Sequence, residues 1–251
     1  MNAAQTRFTT EGLVIKEMNV GESDRLVTLF TQEYGIIKAF AAGAKNIKSK
    51  KGAATSLLTY SSFTILNKKG TLRIYEATPK AQFFTMGSDL EILSLSQYFC
   101  ELLLVFGENE NPNKELLRLI LNSLHFLTKE KRNPSFIKAI TEFRTAVISG
   151  YMPNLVACSE CSKFEDSMMF FDIESGQLFC SECEHTSNSV PLNPTLLSAL
   201  RHIAFSEFKK LYSFDIPDMD AKRLSEITSK YIIQQTEQHF SALEFYQTLS
   251  E

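Results

Sequence analysis

Apolar and polar positions alternate in short runs through the first eighty residues. Residues 12–19, 25–31, 36–42, 57–66 and 71–77 are each rich in Val, Ile, Leu, Thr, Phe or Tyr, the composition of half-buried strands. Turn formers separate them at Asn19-Val20-Gly21, Glu33-Tyr34-Gly35 and Lys68-Lys69-Gly70. The last two runs, joined across 67–70, read as a short hairpin. Five short strands with no helix long enough for a crossover predict a small closed or partly open β-barrel over 1–80. The connection 43–56 differs from the others: it is long, poor in apolar residues, and carries Lys45, Lys48, Lys50 and Lys51.

After Pro79 the spacing becomes helical. Leu90, Leu93, Phe99, Leu102, Leu103 and Phe106 recur at intervals that suit one helix face, and Ser88 with Glu91 gives a capping-box pattern ahead of them. A second helix is expected over 114–129. Asn133-Pro134 opens a third that ends at Gly150, and Asn193-Pro194 opens another. Asp218 or Asp220 caps a final helix running from 221 to beyond 238. The expected fold class is therefore α+β and multidomain. A barrel (1–80) precedes an α-helical domain (81–251), into which a cysteine module is inserted at about 156–186.

That module has a clear chemistry. Cys158-Ser-Glu-Cys161 and Cys180-Ser-Glu-Cys183 are separated by 18 residues, a spacing suited to a four-cysteine zinc site. Two residues between cysteines allow a tight turn to aim both sulfurs at one ion, and a second turn completes a tetrahedron. Residues 168–179 between them read as a hairpin turning at Glu174-Ser175-Gly176, which brings the pairs together. Four thiolates leave no open position, so one structural Zn2+ is expected. The alternatives are a pair of redox dithiols, or His185 in place of one thiolate. Cys100, between Phe99 and Leu102, reads as a core thiol.

Composition narrows the class. The chain has 251 residues, 44% of them hydrophobic, enough for packed domains. No stretch reaches the roughly 20 apolar residues of a membrane span, and the most apolar segment, 92–107, contains Glu101. Residues 1–11 hold no apolar run that resembles a secretory signal. A cytoplasmic protein without membrane partners is expected, with reduced thiols that favour metal over disulfide.

Net charge is -3, but its distribution carries more information. Residues 1–80 hold 12 Lys+Arg against 6 Asp+Glu, or +6, and residues 81–251 hold 14 against 23, or -9. A basic barrel suits a polyanion, and an acidic remainder suits protein contacts. The cations Arg25, Lys38, Lys45, Lys48, Lys50, Lys51, Lys68, Lys69 and Arg73 are candidate nucleic-acid contacts. Tyr34, Tyr60 and Tyr75 are candidate base-stacking rings, whereas Phe40 and Phe63 read as core. The sequence contains no Gly-rich phosphate loop, GxSxG or HExxH. His125 and His202 fall in helices, as packing or surface residues. No catalytic residues are assigned.

The ordered motifs resemble the bacterial recombination mediator family RecO. They are Gly12-Leu-Val-Ile, Gly21-Glu-Ser-Asp-Arg-Leu-Val-Thr-Leu-Phe-Thr, Glu33-Tyr-Gly and Gly43-Ala-Lys-Asn-Ile-Lys-Ser-Lys, then Glu142-Phe-Arg and Gly150-Tyr-Met-Pro-Asn-Leu-Val-Ala-Cys158-Ser-Glu-Cys161, closed by the Cys180/Cys183 pair. The resemblance covers almost the whole chain. It implies an OB-fold barrel, and a non-enzymatic DNA-repair protein that binds single- and double-stranded DNA and anneals complementary strands. It also implies contact with single-stranded-DNA-binding protein and, with RecR, help in loading RecA. By position, Arg25 and the loop lysines would meet phosphate and the four cysteines zinc. The chain departs from the family where many members end in a basic helix, reading Gln234-Gln-Thr-Glu-Gln-His-Phe-Ser-Ala-Leu-Glu-Phe instead. The barrel is left to supply most of the positive field. The alternative function is a zinc-stabilised protein-interaction adaptor with incidental DNA contact.

Overall fold

A computed structural model describes residues 6–46, 49, 51–84, 89–107, 111–183 and 188–250. The chain forms two compact units, Met1–Lys129 with Phe240–Glu251, and Glu130–His239. The helices after the barrel are thus shared between them.

The first unit is built on five strands: β1 (Thr6–Val20), β2 (Asp24–Thr31), β3 (Gly35–Ala41), β4 (Thr59–Lys68) and β5 (Thr71–Gln82). They close in the order β1-β2-β3-β5-β4, the five-stranded barrel of an OB fold. β1 is long enough to serve two neighbours. Its first half pairs with β4 and its second half with β2, and a register irregularity between Val14 and Lys16 bends it between the two. The barrel core is Val14, Val27, Leu29, Ile37, Ala39, Phe63, Ile65 and Ile74, each supplied by the inward parity of its strand. β3 and β5 meet in parallel through a single matched pair, Phe40 with Arg73, so closure there is slight.

The long connection after β3 is ordered around a one-turn helix, α1 (Lys51–Ala54). Ala54, Thr55 and Leu58 are buried beneath it. Its turn is closed by the Thr55 hydroxyl on Lys51 O (2.8 Å) and the Ser56 hydroxyl on Gly52 O (3.0 Å). Four polar or small residues give no helical period, which is why the sequence does not announce it.

Three longer helices complete this unit: α2 (Leu90–Phe106), α3 (Lys114–Thr128) and, from the far end of the chain, α7 (Ser241–Ser250). Asp89 caps α2 by accepting from Glu91 N (2.9 Å); Ser88, expected in that role, lies outside the described residues. The N-terminus of α7 sits on the Glu101 carboxylate, which accepts from the Ser241 hydroxyl (2.7 Å) and Ala242 N (3.1 Å). Phe240 meets Tyr98 edge to face at 5.3 Å, and Leu243 and Tyr246 are buried. Cys100 is buried in this core, its thiol pushed up to about 12 by burial.

The second unit contains α4 (Pro134–Ile148), a small sheet of β6 (Met169–Asp172), β7 (Gln177–Cys180) and β8 (Ser189–Leu192), then α5 (Pro194–Phe205) and α6 (Asp218–Thr236). The sheet order is β7-β6-β8. Asn133 and Asn193 cap α4 and α5 through their side-chain oxygens. Their amide nitrogens donate to Asp218 (2.7 Å) and Asp220 (3.1 Å). Those two acids were expected to cap α6; they instead tie its first turn to the starts of two other helices. α6 also stops earlier than its pattern predicts. Glu237 takes a left-handed φ of 52° and the chain turns before α7. The expected continuous final helix is therefore two helices.

Between α4 and α6 lies a buried polar cluster. Lys138 Nζ meets Glu142 Oε1 at 3.0 Å and donates to Ser225 O (3.1 Å), Ser225 Oγ (3.0 Å) and Ser229 Oγ. Glu142 also accepts from Thr228 (2.6 Å) and Ser229 (3.0 Å). Burial lowers the Lys138 pKa, partly offset by the Glu142 charge.

Candidate nucleic-acid interface and four-cysteine centre

Strand parity decides which barrel side chains face outward. On β3, Ile37, Ala39 and Ala41 point inward, leaving Lys38 and Phe40 outside. On β5, Arg73 and Tyr75 are exposed on either side of buried Ile74. The expectation that Phe63 is core holds, at 0% exposure. Phe40 is the correction: it is 36% exposed because its place in the alternation outweighs the general tendency of Phe to be buried.

Where β3 and β5 part, a cleft of about 480 Å3 opens, lined by Asp24, Phe40, Lys51, Arg73 and Tyr75 among others. Asp24 Oδ1 accepts from Gly43 N (2.8 Å) and the Ser23 hydroxyl (3.0 Å). The Gly43 bond is the larger cause of its lowered pKa, and the Arg73 and Lys51 charges act in the same direction. Lys51 Nζ donates to Ile74 O (3.3 Å), which satisfies a carbonyl beside the gap. The Arg7 guanidinium lies 4.8 Å from the Tyr75 ring centre. Sequence assigned no role to Asp24 and placed Phe40 in the core; parity on β3 was the available signal for the exposure of Phe40.

The remaining candidates are dispersed. Arg25 is turned inward: it donates to Gly52 O (3.1 Å) and Ser56 Oγ (3.1 Å) and pairs with Glu17 (3.4 Å), holding α1 in place. Lys45 is exposed in the turn after β3, and Lys68 and Lys69 are exposed at the β4–β5 turn. Lys48 and Lys50 lie outside the described residues. Tyr34 packs on Phe8 at 4.5 Å. Tyr60 donates its hydroxyl to Glu11 (2.8 Å), and burial followed by that carboxylate raises its pKa. Glu11 in turn is held below its ordinary value by Lys80 first and Tyr60 second.

In the second unit, the sulfurs of Cys158, Cys161, Cys180 and Cys183 lie within 4.8 Å of one another, with Cys161 and Cys180 at 3.6 Å. A tetrahedron with metal–sulfur arms of about 2.3 Å has edges of about 3.8 Å. The cluster therefore fits a single metal ion. Its local folding follows from two tight turns. Ser162 N donates to Cys158 O (2.9 Å) and Cys183 N to Cys180 O (3.1 Å). The hairpin β6–β7 carries the second pair, and Ser159 N donates to Leu178 O (2.8 Å), which pins the first pair against it. Asp166 links the two turns. It accepts from the Ser181 hydroxyl (2.8 Å) and from Lys163 (3.2 Å), and these bonds, Ser181 foremost, drive its pKa strongly down. Sequence gave no signal for Asp166. His185, the alternative ligand, lies outside the described residues.

An OB barrel with cations and aromatic rings on its outer face, followed along the chain by helices and a four-cysteine knuckle pair, defines a class of modular α+β proteins. The comparisons with known proteins agree. Residues 3–83 match the family model for the recombination protein O N terminal, and residues 87–244 match that for the recombination protein O C terminal. A DNA repair protein RecO from Acetivibrio thermocellus is 34% identical over 243 residues, covering 96% of each chain. One from Caldicellulosiruptor saccharolyticus is 28% identical over 236 residues, covering 94% of this chain and 96% of its own. The chain belongs to the RecO family of DNA repair and recombination proteins. Among the described residues no helix is long and apolar enough to cross a membrane.

Proposed function

We propose that this chain is a non-enzymatic mediator of DNA repair that binds single- and double-stranded DNA on the outer face of its barrel and anneals complementary strands. The observation that carries this reading is the set of exposed cations on the barrel, Lys38, Lys45, Lys68, Lys69 and Arg73, of which Arg73 lines the aromatic-walled cleft together with half-buried Lys51. Lys48, Lys50 and Lys51 extend the same cationic stretch along the chain. Arg25 acts as the anchor of α1 and so positions that stretch, in keeping with its inward hydrogen bonds. Tyr34, Tyr60 and Tyr75 remain the tyrosine candidates for base contact, with Tyr75 favoured by its exposure.

The four cysteines hold one structural Zn2+ in this reading, since an all-thiolate set suits zinc and leaves no position for substrate. Family membership supports a cytoplasmic, nucleoid-associated role with RecR and single-stranded-DNA-binding protein as partners and RecA loading as the outcome.

Phosphate contacts release counterions, so affinity for single strands falls with salt at a log-log slope of about -0.7 per contact. Replacing Lys38, Lys68, Lys69 and Arg73 with Ala in the full chain should flatten that slope by up to about 3 and weaken binding to all sequences alike. A strand-annealing assay with and without single-stranded-DNA-binding protein tests the mediator role. An unchanged slope, or binding that persists without annealing, would move the chain toward the adaptor alternative.

A further inference from the structure

The cleft between β3 and β5 has a composition that phosphate binding does not explain. Its volume of about 480 Å3 lies within the roughly 300–1,000 Å3 span of ligand pockets. Two aromatic rings, Phe40 and Tyr75, line it, both exposed. The Arg7 guanidinium over the Tyr75 ring and its pairing with Glu76 at 3.7 Å brace that wall. Asp24 also lines the cleft, and an anion there repels phosphate. Among the described residues, the two hydrogen bonds that position Asp24 both fall on Oδ1, so Oδ2 is left for a donor. Arg73 and Lys51 stand beside it as flanking cations. Aromatic faces, one acceptor and flanking positive charge match an unpaired nucleobase whose own backbone runs past the cleft. A base held in a duplex cannot present its face and its pairing edge together.

Resting on the DNA-binding reading above, we propose that this cleft takes one unpaired base of single-stranded DNA, stacked on Phe40 with its amino edge on Asp24. The cleft is thus the element that separates single-strand from duplex recognition on the same barrel. Cytosine, with an N4 amino donor where thymine has a carbonyl, is favoured over thymine.

The test uses the full-length protein and fluorescence anisotropy at fixed salt. Five labelled probes are compared: a mixed single strand, its duplex, an abasic single strand that keeps only the sugar-phosphate backbone, and single-stranded oligo-dC and oligo-dT. The unmodified protein should bind the mixed strand about tenfold tighter than the abasic one. Phe40→Ala should lose that tenfold and leave duplex and abasic binding unchanged. Oligo-dC should be preferred to oligo-dT by about fivefold, the scale of one hydrogen bond, and Asp24→Asn, which keeps the Oδ1 acceptor, should erase the preference. Equal affinity of the unmodified protein for mixed and abasic strands overturns the inference without any variant having to fold, and leaves backbone-mediated DNA binding standing. A base-dependent affinity that Phe40→Ala retains, or equal affinity for the two homopolymers, overturns the site as stated. Failure to bind any of the probes, duplex included, is the separate result that removes the DNA-binding reading itself.

Discussion

Lys138 and Glu142 are the most heavily desolvated charges described in the molecule, at 2% and 0% side-chain exposure, and Ser225, Thr228 and Ser229 on the partner helix all hydrogen-bond to them. Removing one member of such a pair strands the other, at a cost of roughly 3–5 kcal/mol. Removing both need not. Thr228 and Ser229 can fall back on Ser225 O, which they already approach at 3.2 Å and 2.9 Å. Lys138→Met should therefore be more destabilising in urea unfolding than Lys138→Met combined with Glu142→Leu. Equal losses would mean that the cluster acts through shape alone. Residues of this kind are poorly legible in sequence. Lys138 and Glu142 form an ordinary i, i+4 pair by spacing, the sort usually found on a solvated face, and only the partner helix reveals their burial. Arg25 is the same case on the barrel, where a long-range turn captures a cation that otherwise looks free.

Elements were far more legible than single side chains. All five barrel strands and the five long helices that begin at 90, 114, 134, 194 and 218 lie on segments that hydrophobic period and turn chemistry single out. Their ends differ: β1 begins at Thr6 rather than 12, β5 runs on to Gln82 rather than ending at 77, and the helix expected from 221 opens at Asp218. The misses share a cause, the absence of a strong local signal. α1 has four residues, β8 contains Pro191, and the break at Glu237 occurs in a Gln-rich stretch with neither Gly nor Pro. Phe40 was lost differently, because residue type was weighed above strand parity. One element boundary is set by sterics rather than signal. Gly107 ends α2, and a Cβ there would lie 2.4 Å from both Leu103 O and Phe30 Cε2. Gly107→Ala, although its φ of -85° is open to any residue, should cost about 1–3 kcal/mol, as overpacking does. Thermal unfolding followed by circular dichroism checks this, and an unshifted midpoint would show that helix end and barrel wall can move apart freely.

At the scale of the whole molecule, the division into two units predicts two responses to metal loss. The proposed zinc closes turns and a hairpin that belong to the Glu130–His239 unit only. A structural zinc contributes on the order of 10 kcal/mol to the fold that it closes. Chelation should raise amide exchange across 158–183 while the barrel strands keep their protection. A uniform loss of protection would show instead that the units unfold as one, and unchanged exchange at 169–180 that the hairpin stands without metal. The charge asymmetry read from sequence belongs to this scale as well. It identified the barrel as the basic part, but not that the barrel's own unit includes helices from both sides of the other unit.

That threading has a consequence for synthesis. α7, which covers Tyr98 on α2 through Phe240 and is seated on Glu101, emerges from the ribosome after every residue of the other unit. The unit begun first is therefore completed last, and a nascent chain paused anywhere before residue 240 carries a bare apolar stripe on α2. Chaperone capture during translation should concentrate in that interval and end when the last helix snaps home.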